Sequence, residues 1–207
     1  MSEPSPISTP RSPHFWEERY QTGSTRWDLG QPAPPFVQLL QSADAPPPGR
    51  MAVLGSGKGH DALWFAKHGF EVVGFDFAPS AIAQSTALAE AQEISAQFLQ
   101  RDIFELPHEF ANQFDYVLEH TCFCAIPLEL RSAYVHLVRD LLRPHGELIA
   151  LFWLHDRPDG PPFGGRVDEI HQRFSPDFEI LSLKNVTDSV ANRQNEEYLG
   201  RLRVKKT

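Results

Sequence analysis

The sequence predicts an α/β fold, in which a mostly parallel sheet of seven strands carries helices on both of its faces. Short apolar segments that are typical of buried strands alternate with longer segments of helical periodicity. A glycine-rich turn, Gly55–Gly59, lies between the first strand and the first helix of this series. A polar, non-helical link joins the last two strands, which predicts that the sheet ends with an antiparallel strand.

Length, composition and charge limit the classes of protein to which the chain can belong. Its 207 residues suffice for one sizeable domain but not for two, and 41% of them are hydrophobic, as in soluble globular proteins. The net charge of −8, with no Lys/Arg-rich run, argues against a nucleic-acid partner. No apolar run approaches the roughly 20 residues that span a bilayer, and no signal peptide is apparent. We therefore expect a cytoplasmic protein without membrane contact, and by default a monomer.

The N-terminal part differs in composition from the rest of the chain. Residues 1–13 are rich in Ser and Pro and can bury little surface, so they are predicted to be a disordered tail. Residues 14–207 are predicted to form a single domain, which begins with a separate segment over 14–45. This segment is predicted to contain two short helices, over 15–20 and 34–40.

The predicted core elements rest on apolar runs, helical spacing and helix end signals. Gly69 ends the first core helix and Pro79 begins the second. In the third, Tyr134, Leu137 and Leu141 recur on one face. The strands are predicted over 51–54, 71–75, 96–99, 114–119, 146–153, 178–184 and 197–205. The core helices are predicted over 59–68, 79–93, 129–142 and 167–174.

The first two strands and the glycine turn between them are typical of a unit that binds a nucleoside. Glycines at 55, 57 and 59 let the backbone approach a ligand, and the following helix offers free N–H donors. Asp76 ends the second strand and can accept hydrogen bonds from both ribose hydroxyls. In dinucleotide-binding motifs the third glycine comes one residue later, where this chain has His60. The spacing therefore argues against a nicotinamide dinucleotide.

That spacing and the antiparallel end of the sheet resemble the class I S-adenosylmethionine (SAM) methyltransferases. Further motifs together resemble the thiopurine methyltransferase superfamily and, within it, the halide/thiol methyltransferases. These motifs are Trp16-Glu17, Trp27–Gly30, Pro34, Leu54–Asp61, Val73–Asp76, Phe123–Ile126, Arg131, Gly146–Ile149 and Gly160–Phe163. The resemblance runs from about residue 14 to the C-terminus. It implies a Rossmann-like, doubly wound fold with an N-terminal helical lid, SAM as the cofactor and S-adenosylhomocysteine (SAH) as its product.

The resemblance implies cofactor contacts from the glycine turn, from acids at strand ends and from aromatic residues before the first strand. Asp76 would bind the ribose, with capping of the next helix as the alternative. Asp102 would accept the adenine amino proton, unless it belongs to a simple surface turn. Trp16 and Trp27 would close over the cofactor, or pack their segment onto the domain, or do both. The predicted cofactor residues are Trp16, Trp27, Gly55, Gly57, Gly59, Asp61, Asp76, Phe77, Asp102, Ile103 and Glu119.

The sulfonium of SAM makes its methyl group an activated electrophile, so an anionic acceptor needs no strong general base. Such an enzyme works by positioning and by removing water, which calls for an apolar, aromatic pocket under a lid. No residue is assigned a catalytic role, and no metal site is predicted. Cys122 and Cys124 do not indicate a metal site, because no His/Cys pair lies nearby at zinc spacing. Cys124 falls within the Phe123–Ile126 run, so the resemblance implies that it packs beneath the site. The candidates for the acceptor pocket are Trp27, His120, Phe123, Arg131, Trp153 and Phe163.

The leading hypothesis is therefore a SAM-dependent methyltransferase that acts on a small soft nucleophile: a thiol, bisulfide or halide, with a thiopurine also possible. Arg131 and Arg157 can attract an anionic acceptor or be ordinary surface charges. One alternative is a methyltransferase with a larger oxygen or nitrogen acceptor, which requires a base such as His120 or Glu119. Another is a SAM-binding protein without catalysis.

Overall fold

The structure is a computed structural model, which describes residues 10–206. Its strands are β1 Arg50–Leu54, β2 Glu71–Asp76, β3 Gln97–Gln100, β4 Phe114–His120, β5 Leu142–Trp153, β6 Phe178–Asn185 and β7 Glu197–Val204. They form one sheet in the order β3-β2-β1-β4-β5-β7-β6. All neighbouring strands are parallel except β7, which is antiparallel to both β5 and β6. The predicted seven-stranded, mostly parallel sheet with an antiparallel last strand is confirmed.

Helices precede the sheet and connect its strands. They are α1 Pro13–Gln21, α2 Pro34–Gln41, α3 His60–Lys67, α4 Pro79–Ala91, α5 Leu106–Phe110, α6 Arg131–Leu141 and α7 Val167–Phe174. The sequence did not predict α5, because five residues are too few for a periodic pattern to stand out. It also placed the start of β5 four residues too late. Leu142 already pairs with Phe114 of β4, and a register shift separates this pair from the regular ladder.

Alternate residues of β1 enter two separate apolar cores, one on each face of the sheet. Ala52 and Leu54 belong to one core, and Met51 and Val53 belong to the other. This double burial explains why the strand reads as a continuous apolar run. The chain passes from β1 outward to β2 and β3 and then returns to β4 on the other side of β1. Ligands of such sheets bind beside this reversal, at the carboxyl ends of the strands.

The N-terminal segment is attached to the domain by polar contacts at two helix starts. The Glu17 carboxylate of α1 accepts a hydrogen bond from the Ser80 backbone N–H, 2.9 Å away at the start of α4. Asp28 pairs with Lys58 of the glycine turn at 2.6 Å. Residues 10–12 form a turn and Pro13 begins α1. Of the tail predicted over 1–13, residues 10–13 thus belong to this turn and to α1, and residues 1–9 lie outside the described part.

The helices of residues 10–206 are all too short or too polar to cross a membrane.

Candidate active site

A cavity of about 660 Å³ lies at the carboxyl edge of the sheet, where five strands end. Residues at or just after the ends of all five contribute to its wall: Gly55 after β1, Asp76 at the end of β2, Asp102 after β3, His120 at the end of β4 and Trp153 at the end of β5. Parallel strands bring these residues to one edge although they are spread over nearly 100 positions of the chain. Each of the five was predicted as a site residue.

The acid at the end of β2 is tied to the glycine turn after β1. Asp76 Oδ2 accepts the Gly57 backbone N–H and Oδ1 accepts the Ala78 backbone N–H, each at 2.9 Å. Burial raises the pKa of Asp76, while these N–H donors favour its charged form. The carboxylate lines the cavity and also holds the backbone of Ala78, the residue before α4, and its binding of the ribose stays a prediction.

The three glycines of the turn all adopt left-handed backbone conformations. Gly55 borders the main cavity, whereas Gly57, Gly59 and Asp61 line a smaller adjoining cleft of about 60 Å³. At Gly59 (φ +83°) a Cβ atom would lie 2.9 Å from Phe98 and from Ser85. Gly59 is therefore required by packing beneath the turn as well as by its backbone conformation.

The segment after β3 supplies a mixed polar and apolar wall. Asp102 Oδ1 accepts the Phe104 backbone N–H at 2.9 Å and thereby starts a short 3₁₀ turn. Burial raises the pKa of Asp102. Ile103 and Phe77, both predicted as cofactor residues, also line the cavity.

Aromatic residues of the N-terminal segment form another part of the cavity wall. Trp16 and Trp27 meet edge to face with ring centroids 5.5 Å apart, and Tyr20 meets Trp27 at 5.8 Å. All three line the cavity. The prediction did not include Tyr20, although its position four residues after Trp16 on α1 places both rings on the same helix face.

Three predicted acceptor residues do not line the cavity, which corrects their expected placement. Phe123 packs in the core against other aromatic rings, and Phe163 donates its backbone N–H to Cys124 O. Arg131 is fully buried, pairs with Glu169 at 2.8 Å and stacks on the Phe123 ring at 4.5 Å. Its guanidinium joins α6 to the loop after β5. The sequence alone does not show whether a side chain at the start of a helix points into the core or toward the cavity.

Glu119 also lies behind the cavity wall rather than in it. Its Oε2 accepts the backbone N–H groups of Cys122 at 3.0 Å and Phe123 at 2.8 Å. Burial raises the pKa of Glu119 to about 7. The carboxyl group thus shapes the turn after β4, and this turn presents the free thiols of Cys122 and Cys124 to the cavity. Burial raises the pKa of both thiols, that of Cys124 to about 12, so both stay protonated.

His120 lines the cavity, but both of its ring nitrogens are engaged. Nδ1 lies 2.8 Å from Asp61 Oδ2, and Nε2 lies 3.0 Å from Arg193 Nη1 and 3.6 Å from Glu197 Oε1. The 3.0 Å distance to Arg193 suits a neutral ring whose Nε2 accepts a hydrogen bond, whereas a charged ring would donate its Nε2–H to Glu197 instead. We favour the charged ring, because two carboxylates face one guanidinium here. Burial alone would lower the pKa of His120, but the carboxylates raise it to about 9.

The loop after β5 adds Trp153 and two arginines. Arg157 lines the cavity, forms two hydrogen bonds with Glu196 and lies 5.3 Å from the Trp153 ring. Arg193 lies on the other side of Trp153, 4.8 Å from the ring, and is fully buried. Arg193 is not indicated by the sequence, because no local motif marks a residue that reaches His120 across 73 positions of the chain. His155, two residues after Trp153, is buried and is not among the residues that line the cavity.

Comparison with known proteins places this geometry in a family. The profile of the thiopurine S-methyltransferase family matches residues 11–206. A probable thiol methyltransferase 2 of Arabidopsis thaliana is 35% identical over 93% of this chain and 85% of its own length. A thiocyanate methyltransferase 1 of Brassica oleracea is 35% identical over 90% of this chain and 83% of its own length.

A solved structure shares the fold at low sequence identity. The 1,6-didemethyltoxoflavin-N1-methyltransferase of Burkholderia thailandensis, with 1,6-didemethyltoxoflavin and SAH bound, superposes with a TM-score of 0.74 and 18% identity. The match covers 100% of this chain and 94% of that one. The profile match over nearly the whole chain and the relatives at 35% identity lead to one conclusion. This chain belongs to the thiopurine S-methyltransferase family and is a SAM-dependent methyltransferase.

Proposed function

We propose that this enzyme transfers the methyl group of SAM to a small soft nucleophile, a thiol, bisulfide or halide, by direct in-line displacement. The observation that carries the proposal is the chemistry of the cavity wall. Apart from Asp76, Asp102 and four arginines, the wall is largely aromatic and aliphatic, and its other ionisable groups are poorly suited to remove a proton from an acceptor. An acceptor that arrives as an anion needs no such group.

The residues present fit the cofactor. SAM is a nucleoside with an amino-acid tail, and the cavity combines a ribose-binding acid, Asp76, with an apolar adenine wall from Phe77 and Ile103. Asp102 lies beside Ile103 and can accept the adenine amino proton. When bound, SAM supplies a methyl group activated by the sulfonium. Trp16, Tyr20 and Trp27 provide ring faces that favour a cation by about 1 kcal/mol or less each at a partly exposed site.

The ionisable groups of the cavity wall support an acceptor that binds as an anion. Among the described residues, the lining groups beyond the two acids and the arginines are Tyr20, His120 and the two cysteines. Burial raises the pKa of Tyr20 and of both thiols, so these groups hold their protons. His120 directs both ring nitrogens away to Asp61, Arg193 and Glu197. With Asp76 and Asp102 engaged by the cofactor, a neutral alcohol or amine would find no free base among the described lining residues.

Thiols can arrive as anions, because an ordinary thiol has a pKa of about 8.5 and is partly ionised at neutral pH. Trp153, Ile126 and Pro127 offer apolar surface that strips water from such an anion. The names of two relatives, a probable thiol methyltransferase and a thiocyanate methyltransferase, agree with this acceptor class. Arg157 adds positive charge at the wall, although Glu196 pairs with it.

The test is an incubation of the purified protein with methyl-labelled SAM and a panel of bisulfide, iodide, thiocyanate, small thiols and a thiopurine. We expect labelled, volatile or extractable methyl products from at least one of these acceptors, with Asp76→Ala as the control that loses cofactor binding. Binding of SAM without transfer to any of them would contradict the proposal and favour a protein that binds SAM without catalysis. Transfer only to alcohols or amines would contradict it in favour of a base-assisted enzyme.

A further inference from the structure

We propose that a buried cluster of four charged side chains holds the N-terminal segment closed against the cofactor site, with His120 and Arg193 as its positioning residues. The cluster consists of Asp61, His120, Arg193 and Glu197, and we call it the latch cluster. The proposal rests on SAM as the cofactor and is independent of which acceptor is methylated.

The latch cluster holds the loop between α1 and α2 at two points, one in its middle and one at its end. Arg193 Nη2 donates a hydrogen bond to the Trp27 carbonyl oxygen at 2.9 Å. Asp61 Oδ1 accepts the Ala33 backbone N–H at 2.7 Å. The two anchored positions flank the turn that follows Trp27, and Trp27 itself borders both the main cavity and the smaller cleft.

His120 joins the two anchors into one unit. Its Nδ1 contacts the carboxylate of Asp61, and its Nε2 faces Arg193 and Glu197. Arg193 pairs with Glu197 at 3.2 Å, and Ser189 Oγ donates to the other Glu197 oxygen at 2.6 Å. These residues come from α3, the end of β4, the loop before β7 and the start of β7, so the contacts form only when these elements are assembled.

The cluster is balanced when His120 is charged. The imidazolium and guanidinium then face two carboxylates, and the side chains of Arg193 and Glu197 are 0% and 2% exposed. Besides these charged groups, the Phe36 ring of α2 packs edge to face on His120 at 5.9 Å. Removing one partner leaves a buried charge without compensation, which is far more costly than removing a matched pair.

The attachment of the N-terminal segment makes it sensitive to this cluster. Helix α1 contains no buried residue, so apolar packing alone holds it weakly. Other polar links of the N-terminal segment to the domain include the Glu17–Ser80 contact, the pairing of Asp28 with Lys58 and His60, and the hydrogen bond from Arg201 to the Asp44 carbonyl oxygen. Loosening the latch cluster should therefore release Trp27 from the cofactor before it unfolds the sheet.

The first experiment is a double-mutant cycle on Asp61→Asn and His120→Gln, read out by SAH affinity in calorimetry and by backbone hydrogen exchange. Each single substitution is expected to weaken SAH binding by about tenfold or more and to accelerate exchange over residues 27–33. The double substitution removes the charge imbalance and is expected to recover a large part of both losses. Asp140→Asn, in an exposed pair with Arg139, is the matched control and should change neither.

Arg193→Lys tests the same idea without changing the charge. A lysine ammonium can pair with Glu197 but cannot also reach the Trp27 carbonyl in the manner of the guanidinium fork. We expect a folded protein with faster exchange at residues 27–33 and weaker SAH binding. Unchanged SAH affinity and exchange in Arg193→Lys, or strictly additive losses in the double-mutant cycle, would overturn the proposal. Unaltered SAH binding in Asp76→Ala would instead show that the cofactor site itself is wrongly assigned.

Discussion

Asp76 at the end of β2 accepts the backbone N–H of Gly57 in the turn after β1, at 2.9 Å. One carboxylate therefore borders the cavity and also sets the shape of the glycine turn beside it. We propose that cofactor binding depends on the same side chain that sets the loop geometry, and this determines what its replacement should do.

We expect Asp76→Asn to weaken SAH binding by at least about tenfold, because the neutral amide loses a charge-assisted acceptor for the ribose hydroxyls. Asp76→Ala should weaken it further, since the contacts to Gly57 and Ala78 are lost as well. Calorimetric titration with SAH measures both. An Asp76→Asn variant that binds within twofold of the wild type would show that the carboxylate does not contact the cofactor.

Gly59→Ala should lower the free energy of unfolding by about 1–3 kcal/mol, because the new methyl group meets Phe98 and Ser85 in a left-handed backbone conformation. Gly23→Ala is the matched control: its φ is also positive, at +73°, but nothing lies within 4 Å of the added Cβ. Gly23→Ala should lower the free energy of unfolding by only about 1 kcal/mol. Urea unfolding of both variants measures the difference, and equal losses would mean that packing beneath Gly59 is unimportant.

The sheet and the cofactor wall were predictable because their signals are local. The glycine turn and Asp76 lie within 22 positions of each other, and the strand ends that carry Asp102, His120 and Trp153 follow from the alternation of apolar runs. Arg131 and Phe163 were misplaced because a residue's direction at a helix start or in a loop depends on packing. Arg193 was missed because its partners His120 and Trp27 are distant in the chain. The roles of the site residues in binding remain predictions.

Replacing Arg131 should affect stability rather than acceptor recognition. In Arg131→Met the buried guanidinium no longer links Glu169 to the loop carbonyls of Phe163 and Gly164. We expect a loss of about 2–4 kcal/mol in the free energy of unfolding, because buried ion pairs respond strongly when one partner is removed. The KM for the methyl acceptor should stay unchanged. A large rise in KM with little loss of stability would restore Arg131 to the acceptor pocket.

The buried carboxyl group of Glu119 should make the folded protein less stable as the pH rises. Burial raises its pKa from 4.5 to about 7 in the folded protein, so the folded state holds a proton that the unfolded state releases. This contribution is fully present below pH 4.5 and is lost as the pH rises through about 7. Glu119→Gln keeps an uncharged acceptor for the N–H groups of Cys122 and Phe123 and should flatten that part of the curve.

Urea midpoints of the wild type and Glu119→Gln between pH 5 and 8 measure this effect. His120 acts in the same direction at higher pH, since its stabilisation is lost between about 6.5, its unfolded pKa, and about 9. A wild-type curve that rises from pH 5 to 8, or two parallel curves, would contradict the buried, protonated Glu119.

The central claim is that the acceptor supplies its own negative charge, and the pH dependence of kcat/KM for a series of thiols of different pKa tests it most directly. In pH profiles recorded below about pH 9, we predict that the inflection for each thiol lies at the pKa of that free thiol. Thiocyanate or iodide should show no such inflection. One inflection common to all acceptors, whatever their own pKa, would reveal a base on the enzyme and contradict the account.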